Sequence, residues 1–245
     1  MTEDKVEMPD LGVIPKVGLK ANFWNYIQRV TGQRSLKKYI GQGFIFTLLS
    51  GFPTIVGAVM RGRAYKTVLG GVGSSCLIEE GVRFYVPQKI FLGDRVFIGR
   101  NTYVDANYIE SEIRLEDDVF IGRYCMLRAG VGSIHIGPKV TIGSFCFLRG
   151  SGGLKIGENS MLSQGVQIIT ANHVFRDRSM PIKFQGTRYG KVNIGEDVWV
   201  GTSTIILADV SIGNGSVIGA GSIVTKDVPK YSLALGAPAR VMSKR

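Results

Sequence analysis

An all-β solenoid preceded by a helical region is the fold expected of this chain, on three observations. First, aliphatic residues recur at every sixth position from about residue 78 to residue 228. One row is Leu92, Ile98, Val104; others are Leu115, Ile121, Leu127, then Ile136, Ile142, Leu148, then Ile156, Leu162, Ile168. The longest is Ile194, Val200, Ile206, Ile212, Ile218, Val224. Second, a small or β-branched residue stands four places after most of these, as at Val96, Thr102, Cys125, Cys146, Ser160, Thr204 and Ser222. Third, Gly directly follows many of them, as at Gly93, Gly99, Gly122, Gly157, Gly195, Gly201 and Gly219. Internal repetition at a fixed short period is the signature of a solenoid, and chance does not keep this register over some fifteen units.

Each unit reads as one short strand plus a corner. The aliphatic residue points into a narrow prism, and the residue four later points inward near the corner, where only a small side chain fits. Gly is expected to supply the backbone angles of the turn. Three units close a coil of about eighteen residues, and stacked coils pair their strands in parallel. Short slips of register near 107–113, 129–134 and 149–154 read as corner bulges or short loops. The large break lies between Ile168 and Val192 and reads TANHVFRDRSMPIKFQGTRYGK. A loop of that length ejected from a tight solenoid is expected to be functional. The solenoid is expected over 71–235, with the ejected loop at 169–191 and a short tail at 236–245.

Composition narrows the function. Gly numbers 33 of 245 residues without a collagen period, and hydrophobic residues make up 44%, which excludes collagen and a disordered chain. Three Cys cannot make a disulfide framework and read as reduced thiols, with Cys125 and Cys146 in the inward register. Two His exclude a metal site of three imidazoles, and no metal is expected. The first ten residues carry Glu3, Asp4, Glu7 and Asp10, so no cleavable leader is expected, and the expected location is cytoplasmic.

Net charge is +11 and unevenly placed: residues 11–70 hold nine basic residues and no acid. The same region holds an apolar run from Gly43 to Met60, broken by Pro53 and followed by Arg61 and Arg63. This favours a helical hairpin or re-entrant amphipathic element at an anionic membrane surface, at the inner face of the membrane. The other readings are a helical cap packed on the core or on a neighbouring subunit, and a true span. No nucleic-acid motif accompanies the charge, so nucleic acid is not an expected partner.

The six-residue pattern resembles the left-handed parallel β-helix of the hexapeptide-repeat acyltransferases, and the handedness is implied by that resemblance. The closing stretch, VWVGTSTIILADVSIGNGSVIGAGSIVTKDVPKYSLALGAPARVM, resembles the last coils of the maltose, galactoside and nodulation-type O-acetyltransferases, with VTKDVP and LGAPARV as its strongest markers. The resemblance covers about residues 75–243. It implies acetyl-CoA as co-substrate, a homotrimer with its site between subunits, and a catalytic His on the ejected loop. Carried over by motif, His173 is the general base and Asn172 orients the acceptor. Trp199, Gly201, Thr202, Gly219, Ala220, Thr225, Lys226 and Arg240 match the coenzyme-contact positions, with Lys226 and Arg240 suited to phosphates or the adenine end.

The chemistry needs no metal or covalent enzyme intermediate. An acceptor hydroxyl becomes nucleophilic when an imidazole takes its proton. Backbone N–H groups at Gly201 or Thr202 are candidates to hold the developing negative oxygen. Arg176, Arg178 and Tyr189 are candidate acceptor contacts. His135, next to inward Ile136, is expected outside on the surface. The SGFPTIVGAVMRGRAYKTVLGG stretch resembles transferases that modify surface polysaccharides, which implies a surface-polysaccharide or lipid-linked oligosaccharide acceptor. The competing classes are an amino-sugar N-acetyltransferase and a non-catalytic solenoid that serves assembly. A hexapeptide-repeat carbonic anhydrase would need three His, which the chain cannot supply.

Overall fold

A computed structural model describes residues 18–106, 108 and 110–245. The acidic first ten residues, Lys16, and part of the slip expected near 107–113 lie outside them. The body is a triangular parallel solenoid. Its first face stacks Gly71–Val72, Ile90–Leu92, Glu112–Leu115, Ser133–Ile136, Leu154–Ile156, Val192–Ile194 and Val210–Ile212. The second face stacks Leu77–Ile78, Phe97–Ile98, Phe120–Ile121, Thr141–Ile142, Met161–Leu162, Trp199–Val200 and Val217–Ile218, and the terminal strands Ser232–Gly236 and Ala239–Lys244 extend it. The third face runs from Arg83–Tyr85 through Tyr103–Asp105, Met126–Arg128, Phe147–Arg149, Gln167–Ile168 and Ile205–Ile206 to Ile223–Val224.

The inward ladders are those of the six-residue period. Ile98, Ile121, Ile142, Leu162, Val200 and Ile218 are all buried, as are the corner residues Thr102, Ser160, Thr204, Ser216 and Ser222. A buried corner hydroxyl is tolerated because it bonds to the next coil: Ser160 Oγ donates to the Gly195 carbonyl at 2.8 Å and accepts from the Val198 N–H at 3.1 Å. Cys125 and Cys146 are buried free thiols, and Cys76 is a third. His135 projects from the first face and meets Glu116 at 3.0 Å.

One expectation about the corners is corrected. The Gly that follows the aliphatic residue does not supply a left-handed turn. The left-handed residue sits two places further on, and it is mostly not Gly: Arg95, Asn101, Tyr124, Lys139, Phe145, Asn159, Asp197 and Ser203 all have φ between 52° and 63°. The Gly is needed for close approach. A Cβ on Gly99 would lie 2.7 Å from the carbonyl carbon of Gly122, and one on Gly122 would lie 2.6 Å from the Ser144 nitrogen. At these Gly positions the coils stack backbone on backbone, and a Cβ has no room.

Three helices cover the N-terminal end: α1 (Leu19–Thr31), α2 (Leu36–Leu49) and α3 (Thr54–Ala64). Ser35 caps α2 by accepting from the Lys38 N–H, and Pro53 precedes α3. Ile45, Phe46 and Leu49 of α2 pack on the solenoid core, where Phe46 and the Phe84 and Tyr65 rings meet. Gly62 lets α3 lie against the Cys76 carbonyl. Arg61, 1% exposed, ties the assembly together: its Nε donates to the Ile78 carbonyl at 2.7 Å, and its Nη1 donates to the Leu49 and Phe52 carbonyls, each at 2.7 Å. Burial lowers its pKa, and the three carbonyls hold the cation. Arg61→Met keeps the apolar stem and strips these carbonyls of their donor, so thermal unfolding is expected to show a loss of about 2 kcal/mol. An unchanged midpoint would mean that water replaces the guanidinium at no cost.

Candidate active site

The ejected segment leaves the corner between the third and first faces, after Gln167–Ile168 and before Val192–Ile194. It rises as an antiparallel ribbon in which Ala171–His173 pairs with Thr187–Tyr189, with Asn172 opposite Arg188 and His173 opposite Thr187. Its base is anchored by buried Thr170, whose Oγ1 donates to the Arg149 carbonyl at 2.8 Å and accepts from the Gly152 N–H at 3.1 Å. The return strand is held on the next coil by Arg188 Nη2 and Asp209 Oδ2 at 3.2 Å. Beyond the ribbon, buried Gln185 knits the loop: its Oε1 accepts from the Asp177 N–H, and its Nε2 donates to the Asp177 and Met180 carbonyls. The Asp177 carboxylate accepts from the Ser179 hydroxyl and N–H, which lowers its pKa.

The His173 ring is exposed, and among the described residues it has no hydrogen-bond partner. Side chains alternate along a strand, so His173 shares a ribbon face with Thr187, and Asn172 shares the opposite face with Arg188. Thr170, Gln185 and Asp209 hold the ribbon in place. No motif marks Gln185 or Asp209 in the sequence, because each acts through a backbone or loop contact that only the fold creates.

The structure sorts the expected coenzyme residues into groups. Gly201, Thr202, Gly219 and Ala220 come together at the corner between the second and third faces, on consecutive coils. Gly201 abuts Ala220 closely enough that a Cβ there would lie 2.5 Å from its nitrogen, and the Thr202 carbonyl accepts from the Gly221 N–H at 2.8 Å. Gly201 is buried against the next coil and Gly219 lies beside Leu235, whereas Ala220 and Gly221 are exposed and offer only a methyl and a hydrogen to the outside. Thr225 and Lys226 follow the last strand of the third face, at the corner from which the His173 ribbon departs two coils earlier, and both are exposed. Trp199 stands half-exposed on the second face, and its Nε1 donates to Ser163 Oγ at 3.1 Å. Arg240 lies on the terminal strand, opposite Leu235. The two candidate oxyanion donors part company: the Gly201 N–H already donates to the Ile218 carbonyl at 2.8 Å, whereas no backbone acceptor takes the Thr202 N–H among the described residues. Among the described residues no group of His, Cys, Asp or Glu could hold a metal ion.

Residues 191–226 match the family model described as bacterial transferase hexapeptide (six repeats). That match lies within the last coils of the solenoid. The chain is 32% identical over 150 residues to a protein of Mycobacterium tuberculosis that bears the name of an acetyltransferase, covering 61% of this chain and 50% of that one. It is 40% identical over 114 residues to a Schizosaccharomyces pombe protein of like name, covering 46% and 53%. The chain thus spans about half the length of these curated relatives. Among solved structures, a variant of the Bacillus cereus N-acyltransferase AntD, in complex with dTDP and coenzyme A, matches with a TM-score of 0.51 and 21% identity, over 75% of this chain and 88% of that one. That likeness shows a shared fold.

Proposed function

We propose that the protein is an acetyl-CoA-dependent O-acetyltransferase that acts on a sugar hydroxyl of a surface polysaccharide or lipid-linked oligosaccharide precursor. The observation that carries this reading is the exposed, unengaged His173 on a pinned ribbon, at the corner that Thr225 and Lys226 share. The acetyltransferase names of the relatives support it. In this reading His173 takes the proton of the acceptor hydroxyl as that oxygen forms its bond to the thioester carbonyl carbon. The C–S bond breaks, and His173 returns the proton to the leaving thiolate. Thr202 offers its N–H to the carbonyl oxygen. Asn172, which shares the opposite ribbon face with Arg188, is not set to touch the hydroxyl that His173 deprotonates. Acetyl-CoA supplies the activated acetyl group; Gly219 and Ala220 give its pantetheine arm a flat path, Trp199 an apolar wall, and Lys226 and Arg240 cations for its phosphates.

The working form is proposed to be a homotrimer. Exposed Phe120, Met161 and Trp199 on the second face, with Tyr124 and Phe145 on the adjoining corner, form an apolar band that runs toward Thr202. The loop tip offers Phe175, Ile182 and Phe184, also exposed, to a neighbour. A second copy that covers the band would bring its own ribbon to the corner of Thr202 and Ala220.

The test is a thiol-release assay with acetyl-CoA and a panel of sugar nucleotides, oligosaccharides, lipid-linked glycans and amino sugars, with acetyl-CoA binding followed by calorimetry. Acceptor-dependent release with hydroxyl sugars is expected. Release with amino sugars alone would move the reading to N-acetylation. No release together with no acetyl-CoA binding would leave an assembly solenoid.

A further inference from the structure

We propose that the outward faces of α2 and α3 dock on an anionic lipid bilayer. The proposal stands on the helices alone and does not depend on the solenoid being a transferase. α2 is apolar on both sides. One side, with Ile45, Phe46 and Leu49, packs on the core. The other presents Leu36, Ile40, Phe44 and Leu48, one helical turn apart and 43%, 60%, 65% and 59% exposed. A contiguous apolar stripe left facing water on top of a core-packed side reads as a surface built to be covered. On α3, Ile55 and Val56 are likewise exposed, at 63% and 56%.

Charge selects the cover. Residues 18–78 contain no Asp or Glu, and every Lys and Arg of residues 18–70 except Arg61 is exposed. None of them pairs with a carboxylate among the described residues. Lys37 borders the α2 stripe, and Arg63 projects from the same side of α3 as Ile55 and Val56. A second copy of this face would set like charges against like, whereas a negatively charged headgroup layer satisfies the cations and the acyl boundary takes the side chains. No helix among the described residues is long and apolar enough to cross a membrane, which leaves α2 and α3 to lie in the interface. Arg61 fixes the turn between them through the Leu49 and Phe52 carbonyls, so the two stripes are held together before any lipid is met.

The test uses the full chain and vesicles of phosphatidylcholine, with and without phosphatidylglycerol, read by co-sedimentation. Binding is expected to be roughly tenfold or more tighter on the anionic vesicles, and to weaken at high salt. The triple change Ile40→Ser, Phe44→Ser, Leu48→Ser and the triple change Lys37→Glu, Lys38→Glu, Arg63→Glu are each expected to lower it by at least about tenfold. Circular dichroism and the unfolding midpoint show whether each variant is folded, and the charge variant alters only exposed residues should the apolar one fail. Equal binding to both vesicles, no binding to either, or unchanged binding by a folded variant would overturn the proposal. A fall in oligomeric state in the apolar variant, with no lipid binding by the parent, would assign the stripe to a neighbouring subunit instead.

Discussion

Replacing His173 by Ala is expected to lower acceptor-dependent thiol release by roughly 10²–10⁴-fold, the range over which a positioned general base contributes. The unfolding midpoint and the affinity for acetyl-CoA should stay where they are. The separation follows from the structure. The ring is exposed and makes no hydrogen bond among the described residues, so its removal breaks no contact that holds the ribbon. The ribbon is held by Thr170 at its base, by Gln185 across the loop and by the Arg188–Asp209 pair, none of which touches the imidazole. Added imidazole should restore part of the lost rate in the variant and leave the parent unchanged, a response that a merely structural histidine would not give. A folded His173→Ala protein with full turnover would remove His173 from the chemistry and leave the ribbon a binding element.

The six-residue period carried the solenoid into view because each inward position is dictated by one local rule: an aliphatic side chain on the flat strand, a small one near the corner. Ile98, Thr102, Val200 and Thr204 follow it, and all are buried. The role of Gly was not legible from the same pattern. Gly157 and Asn159 sit two places apart in one corner, and sequence habit gives the left-handed angle to the Gly. The angle belongs to Asn159, at φ 59°, and what Gly157 provides is contact between coils, which a single unit cannot reveal. The ejected loop was legible as a break in register, and His173 as a rare residue inside it. Gln185 and Asp209 were not, because the contacts that give them meaning join residues up to 21 places apart. The N-terminal helices sit between these cases. Composition showed a basic, apolar stretch, but only packing shows that Ile45, Phe46 and Leu49 face the core and leave Ile40 and Phe44 outside.

Gly157→Ala is expected to cost about 3 kcal/mol, the upper part of the usual range for overpacking, and to lower the unfolding midpoint by roughly 6–12 °C for a chain of this size. The added Cβ would lie 2.6 Å from both the carbonyl carbon and the oxygen of Gly195 and 2.7 Å from the Glu196 nitrogen. All three atoms are backbone, so no side chain can swing aside. Relief requires the coil that carries Leu154–Ile156 to part from the coil that carries Val192–Ile194, across the ladder in which Ile156 is paired with Ile194. In a solenoid each coil is stabilised chiefly by its neighbours, so strain at one interface weakens everything stacked beyond it. Here that is the part with Trp199, Thr202, Ala220, Thr225 and Lys226, and acetyl-CoA binding should fall along with stability. Asn159→Gly, in the same corner, is the control. It places Gly at the left-handed angle, relieves a conformational cost of about 1–2 kcal/mol, and offsets most of that gain through the freer unfolded chain. Its midpoint should stay near that of the parent. If the two substitutions gave equal midpoints, close stacking would not be what places Gly at this corner.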